Sequence, residues 1–384
     1  MTRIILFPAI LIAGSPNCGK SVLSYLLTTK LRCKNLSHYL LRAVPDGEGD
    51  WFLKGNLFYV RELRSRSKGR YSHEYVQHMC SIIDHRVVPL LVDIGGKPRG
   101  DQFDVFKTCT HYILLYKTSE EYDYWISQIS KFSLQPIAEI RSSLVEPENI
   151  IEEKPVLRGI INGLERETEK RKEGRLFTAL LERITGIFNY DQDFLFEEHL
   201  GTAPIPPVTE NWLAKQLQQN PYSWQPESLS GIADILPEGR SIAVYGRGPV
   251  WLAAALAVHA FPGKIWLFDI RYGWQQVPMV RRSKKTNLDF YSPPSSNRAE
   301  MVEFKIKDDF LDPWDIKIAD LRPNEGIIIS GKLPRWTHAA LARYFSERCQ
   351  WVAVHDANKN QAIVVYSISD AHQVGETILL ANSS

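Results

Sequence analysis

Over the first 145 residues, apolar runs of strand length alternate with stretches of helical length. ILFPAILIA leads, followed by a helix predicted from Lys20, then LFYVREL, a helix across 71–85, VVPLLVDI, HYILLYK, a helix from Ser119, and PIAEIRS. Runs that are apolar at nearly every position suit strands buried on both faces, so residues 1–150 are expected to form a parallel sheet covered by helices. From 151 to 200 charges crowd in, as in ERETEKRKEGR at 165–175, and a solvated helical extension is expected. TAPIPPVTE (202–210) reads as a linker, because prolines strip donors and block helix, and it places a domain boundary near 200.

Beyond that boundary the pattern repeats. Residues 242–271, IAVYGRGPVWLAAALAVHAFPGKIWLFDIR, are echoed at 327–358 by IIISGKLPRWTHAALARYFSERCQWVAVHDAN. Gly246, Pro249, Trp251 and Asp269 are answered by Gly331, Pro334, Trp336 and Asp356. Each copy reads as strand, glycine turn, helix and strand, a βαβ unit whose right-handed crossover makes the strands parallel. The two copies, 201–285 and 286–384, then form a pseudo-dimer suited to a two-fold symmetric ligand. RRSKKTNLDFYSPPSSNRAE (281–300) separates them as a basic loop.

Composition narrows the function classes. The chain has 384 residues with 44% apolar and 23% charged, enough for two or three well-developed domains. A formal charge of +2 gives no global pull on duplex DNA, so a small nucleotide caught by local geometry fits better. Five cysteines without a C-x-x-C pair argue against zinc and disulfides and for a reducing, cytoplasmic setting. The run Ile4–Ala13 reads as a buried first strand, not a leader, and no run reaches membrane-spanning length.

Gly14-Ser-Pro-Asn-Cys-Gly-Lys-Ser21 satisfies the phosphate-loop pattern, between a strand and a helix. Gly14, Asn17, Cys18 and Gly19 are expected to wrap ATP phosphates with backbone amides, Lys20 to reach the outer phosphates, and Ser21 to ligate Mg²⁺. Asp93, closing VVPLLVD, is the expected second partner of that Mg²⁺.

In the first copy, Gly246, Arg247 and Gly248 form a turn that permits close approach of a ligand. Pro249 then opens the helix and leaves an end ready for an anion. Asp269 and Arg271 alternate onto one side of their strand, at the carboxyl edge shared with that turn. The bland alternative for them is a structural ion pair.

GRGPVWL followed by FDIR resembles the CRISPR-associated ring nucleases of type III systems, some of which are fused to an AAA-type P-loop domain. The resemblance covers about 230–384, and EMVEFKIKDDFLDPWDIKIADLRPNEGIIISG in the second copy is similar to the leading strands and first helix of that fold. It implies a dimeric protein that degrades cyclic tetra-adenylate. Asp269, Arg271 and His259 are the catalytic residues it implies. Gly331, Lys332, Arg335 and Asp356 are the corresponding binding residues of the second copy. There Asn358 answers Arg271 and Lys332 answers Arg247, so that copy is a binding half or a spent site, with His338 and His355 its own. A divalent metal for cleavage and a homo-oligomer are further expectations. Two rivals stand beside this reading: a sensor that binds the ring without cutting it, and a small-molecule kinase with the repeats as its platform.

Overall fold

The computed structural model describes residues 6–43, 72–164, 174–291, 300–307, 311 and 314–380. LFYVREL, most of ERETEKRKEGR and the tail of the basic segment lie outside them. The chain divides into two compact units, Met1–Glu197 with Ile270–Tyr272 and Glu198–Asp269 with Gly273–Ser384. Among the described residues no helix is long and apolar enough to cross a membrane.

Among the described residues, the first unit has a sheet of seven strands: β1 (Ala9–Gly14), β2 (Tyr39–Ala43), β3 (Leu90–Ile94), β4 (His111–Tyr116), β5 (Gln135–Ser143), β6 (Asn149–Glu152) and β7 (Leu157–Asn162), in the order β2-β3-β1-β4-β5-β7-β6. All pairs are parallel except β6 with β7. All six residues of β1 are buried, as a strand covered on both faces requires. Ile10 and Ile12 share a core with α1 (Lys20–Cys33). The helices α2 (His73–Asp84), α3 (Asp104–Thr108) and α4 (Ser119–Ile129) follow in the connections.

The helical extension expected over 151–200 is corrected. Strands β6 and β7 carry the sheet through 149–162, and only then come α5 (Arg175–Phe188) and α6 (Gln192–Gly201). Helix α5 is amphipathic, and it lays Leu176, Phe177, Leu180, Leu181, Ile184 and Phe188 into the same core as α1.

The second unit opens with β8 (Pro207–Thr209), α7 (Glu210–Gln216) and α8 (Ile232–Ile235), so the segment read as a linker holds a strand and a helix start. The first copy is β9 (Ile242–Tyr245), α9 (Val250–Ala260) and β10 (Ile265–Asp269), with β9 and β10 parallel as the repeat predicts. β11 (Gly273–Gln276) turns back antiparallel on β10, in a sheet that runs β11-β10-β9-β8. Two short strands follow in the segment read as a loop, β12 (Val280–Arg282) and β13 (Leu288–Tyr291).

The second copy continues with β14 (Glu300–Ile306), β15 (Ile316–Ile318), β16 (Gly326–Ser330), α10 (Arg335–Ser346), β17 (Trp351–Asp356), β18 (Gln361–Ser367) and β19 (Thr377–Leu379). Its sheet runs β13-β14-β16-β17-β18-β19, with β16 and β17 parallel. Helix α9 is apolar all round, and the residues Trp251–Ala257 are all buried. Such a helix needs cover on every side. It packs against α10, and the two helices join both sheets in one apolar core that includes Leu252, Leu256, Trp336 and Leu341.

Candidate functional sites

The phosphate loop follows β1 and ends on α1. Gly14 and Gly19 have φ of 146° and 88°, and Asn17 has φ of 62°. A Cβ at Gly14 would stand 2.1 Å from the Leu115 carbonyl oxygen, and one at Gly19 would stand 2.4 Å from Leu164 Cβ, so glycine is required at both. Lys20 is buried inside the loop. Its Nζ donates to the carbonyls of Gly14 at 2.7 Å and Ser15 at 2.8 Å. Cys18 is also buried; burial pushes its thiol pKa up, with Lys20 working against that. Trp125 of α4 is fully buried and donates from Nε1 to Ser15 Oγ at 3.2 Å, pinning the loop from the side. Among the described residues no side chain caps α1, whose N-cap is Gly19, and half-buried Ser21 lies in its first turn.

This geometry fits a phosphate group: a buried cation, glycines at left-handed turns and a helix start with glycine as its N-cap converge on one place. Asp93 lies one strand over from the loop's own strand. Its strand β3 is the direct neighbour of β1, with Asp93 in register with Ile12, but its carboxylate faces Arg42 Nε at 3.6 Å in a buried ion pair. Gly96, just past β3, approaches the loop so closely that a Cβ there would touch Pro16 at 3.0 Å.

In the second unit the anion-ready turn already holds an anion. Glu210, the first residue of α7 and almost fully buried, accepts from the Gly248 amide through Oε2. Its Oε1 accepts from Arg335 Nη2, while Arg335 Nη1 donates to the Gly246 carbonyl at 2.7 Å. Arg335 opens α10 of the second copy, so one ion pair ties the two copies together at the first copy's turn. Gly246, Gly248 and Arg335, the residues expected to face a ligand, lie against Glu210. Nothing in the spacing of the repeat signalled Glu210. Thr209-Glu210 is a helix-start signature, and only the parallel pairing of β8 with β9 carries it to the turn.

The second copy differs at the equivalent place. Its strand β14 runs on where β8 stops, and a Cβ at Gly331 would stand 2.2 Å from the Phe304 carbonyl oxygen. Backbone occupies there what a carboxylate occupies in the first copy.

Asp269 ends β10, and Arg271 falls in the turn 270–272 that follows, so strand alternation does not reach it. The guanidinium of Arg271 lies 5.0 Å from the centre of the Tyr272 ring. His259 is not brought to this edge. It stands near the far end of α9, about 14 Å along the axis from Val250 at about 1.5 Å per residue, with Nε2 bonded to the Leu236 carbonyl at 2.8 Å. Arg247 is exposed.

On the sheet face away from α9, Tyr245, Phe268 and Trp274 surround buried His199, whose Nδ1 lies 2.9 Å from the Tyr245 hydroxyl. The second copy replaces Tyr245 and Phe268 with Ser330 and His355, and Ser330 Oγ lies 2.8 Å from His355 Nδ1. His338, on the first turn of α10, is buried, and burial pulls its pKa down to about 4. Asp356 accepts from the Asn358 amide at 3.1 Å, and Lys332 follows Gly331 at the carboxyl end of β16. Among the described residues no group of three or more His, Cys, Asp or Glu converges to hold a metal ion.

Residues 302–379 match the family described as CRISPR-associated protein (Cas_csx3). Over that stretch the chain is similar to a CRISPR-associated family. The match falls on the second copy, the one that carries Lys332 and Asn358 in place of arginines. Among solved structures, the chain is similar to the signal recognition particle receptor FtsY from Elizabethkingia anophelis in complex with GDP, with a TM-score of 0.29 and 8% identity. That likeness covers 50% of this chain and 66% of the other, just under two thirds of its length. The α/β reading of the first unit rests on its own strand order and loop geometry. A comparison with curated proteins finds no match.

Proposed function

We propose that the protein is a CRISPR-associated ring nuclease that binds cyclic tetra-adenylate in its C-terminal pseudo-dimer and ATP with Mg²⁺ in its N-terminal unit. The observation that carries the reading is the pair of βαβ copies sharing one core, the second containing the CRISPR-associated match and the first keeping Asp269 and Arg271. Cleavage needs alignment more than an exotic group. A ribose 2′-oxygen attacks the adjacent phosphorus in line, its proton is lost, the bond from phosphorus to the 5′-oxygen breaks, and that oxygen takes up a proton. Arg271 and Arg247 neutralise the phosphate, and Asp269 orients Arg271 or the hydroxyl. His259 is not given the acid–base role, since it sits at the wrong end of its helix.

In the N-terminal unit the amides of the loop and Lys20 would hold the phosphates, and Ser21 would be the ligand this chain offers to Mg²⁺. Bound Mg²⁺ supplies charge neutralisation at the outer phosphates.

The test is product analysis of cyclic tetra-adenylate incubated with the full-length protein, beside Arg271→Ala. Ring opening by the parent and its loss in the variant are expected; an intact ring with the parent under every divalent metal tried refutes cleavage. A second reading, a sensor that binds the ring without opening it, is favoured by Glu210 filling the turn and by the distance of His259.

A further inference from the structure

The anion at the amino end of α9 belongs to the protein itself. We propose that the Gly248 amide and the Arg335 guanidinium form a seat for one phosphodiester group, and that Glu210 is its built-in competitor, displaced when the phosphodiester enters. The identity of the ligand rests on the proposed ring binding. The seat itself does not.

The space is shaped around the carboxylate. A Cβ at Gly246 would stand 2.4 Å from Glu210 Cδ, and one at Gly248 would stand 2.7 Å from its Oε2, so both glycines keep room for an anion and for nothing on their own side chains. Charge then selects the kind of anion. Glu210 and Arg335 make a neutral pair whose side chains are 5% and 21% exposed. A phosphodiester carries one negative charge, like the carboxylate, so the exchange leaves the seat neutral. A phosphomonoester dianion adds a charge with no partner.

Hydrogen bonding points the same way. Arg335 Nε is buried and has no acceptor among the described residues. Both carboxylate oxygens of Glu210 are already engaged, by the Gly248 amide and by Arg335 Nη2. A phosphodiester brings two free oxygens and two ester oxygens, enough to serve the same donors and the orphaned Nε. Only the Glu210 side chain has to swing away, because its backbone belongs to α7 and not to the turn. While it stays, the competent form of the seat is a fraction of the whole, and apparent affinity falls by that fraction.

The experiment uses the full-length chain in a Lys20→Ala background, which keeps added phosphates out of the N-terminal loop. Two probes are compared: cyclic tetra-adenylate, and dimethyl phosphate as a monoanionic phosphodiester without bases. Glu210→Ala is expected to bind the ring at least about tenfold tighter than its parent. Dimethyl phosphate is expected to raise the Tm of that variant and not of the parent. Adding Arg335→Ala removes both gains. If Glu210→Ala folds and gains nothing with either probe, the proposal is overturned and Glu210 is a clamp only. Should Glu210→Ala fail to fold, Glu210→Gln keeps the shape without the charge: a gain of about threefold in ring affinity supports the seat, and no gain overturns it. Dimethyl phosphate separating the variants while no protein binds the ring upholds the seat and refutes the ring as ligand. Equal ring binding by all variants, with no effect of dimethyl phosphate, does the reverse.

Discussion

Asp93 and Arg42 form an ion pair at 3.6 Å with both side chains about 2% exposed, on the neighbouring strands β3 and β2. Removing one member of a buried ion pair costs about 3–5 kcal/mol. Asp93→Ala is therefore expected to unfold at lower urea by that amount, and Arg42→Leu with Asp93→Leu to recover most of it. A double variant no more stable than the single one contradicts the pairing as the source of the loss.

Lys20→Ala removes a cation held by two carbonyls inside the loop. ATP affinity measured by calorimetry is expected to fall at least about tenfold, since each tenfold loss is only about 1.4 kcal/mol and a charge-assisted contact is worth more. Ring binding in the same protein should persist. Unchanged ATP affinity would mean that the loop does not hold the phosphates.

His259→Ala separates geometry from resemblance. The residue contributes one hydrogen bond to Leu236, so a stability loss of about 1 kcal/mol is expected. Ring opening by this variant should stay within about threefold of the parent, a difference of less than about 0.7 kcal/mol in barrier. A drop of a hundredfold or more would restore His259 to the chemistry and require α9 to be placed differently.

Acid should destabilise the protein through His338. Its pKa is depressed to about 4 in the fold, from about 6.5 when unfolded, so between these values the unfolded chain binds the extra proton. Stability from this group is complete above pH 6.5 and falls as pH drops toward 4, at up to about 1.4 kcal/mol per pH unit. Burial lowers the pKa of His38 and His111 as well, which adds to the same slope. Urea midpoints of the parent and His338→Gln at pH 7 and pH 5 read the effect. Equal slopes in the two proteins exclude His338 as a source.

The α/β class was legible because buried parallel strands write themselves as unbroken apolar runs, as β1, β3 and β4 do. The phosphate loop was legible because its geometry is local: glycines, a lysine and a helix start lie within eight residues. The strands β6 and β7 were not, because the edge strand β6 alternates exposed and half-buried positions and the charges around it look like a solvated helix face. The remoteness of His259 could have been counted from the helix start in the sequence. Glu210 could not, since its contact with Gly248 is a product of strand pairing across 38 positions, and no spacing rule spans that.

Strand β8 stops at Thr209 and lets Glu210 turn into the first copy's glycine turn, whereas β14 runs past the equivalent point, and this single difference in backbone course has a reading in product length. A ring of four nucleotides opened by two equal halves yields two dinucleotides. One opened only beside Asp269 yields a linear tetranucleotide carrying one cyclic phosphate end. The number of cuts per ring is thus expected to report, in a single chromatogram, whether two copies of one fold still perform one task or have divided it.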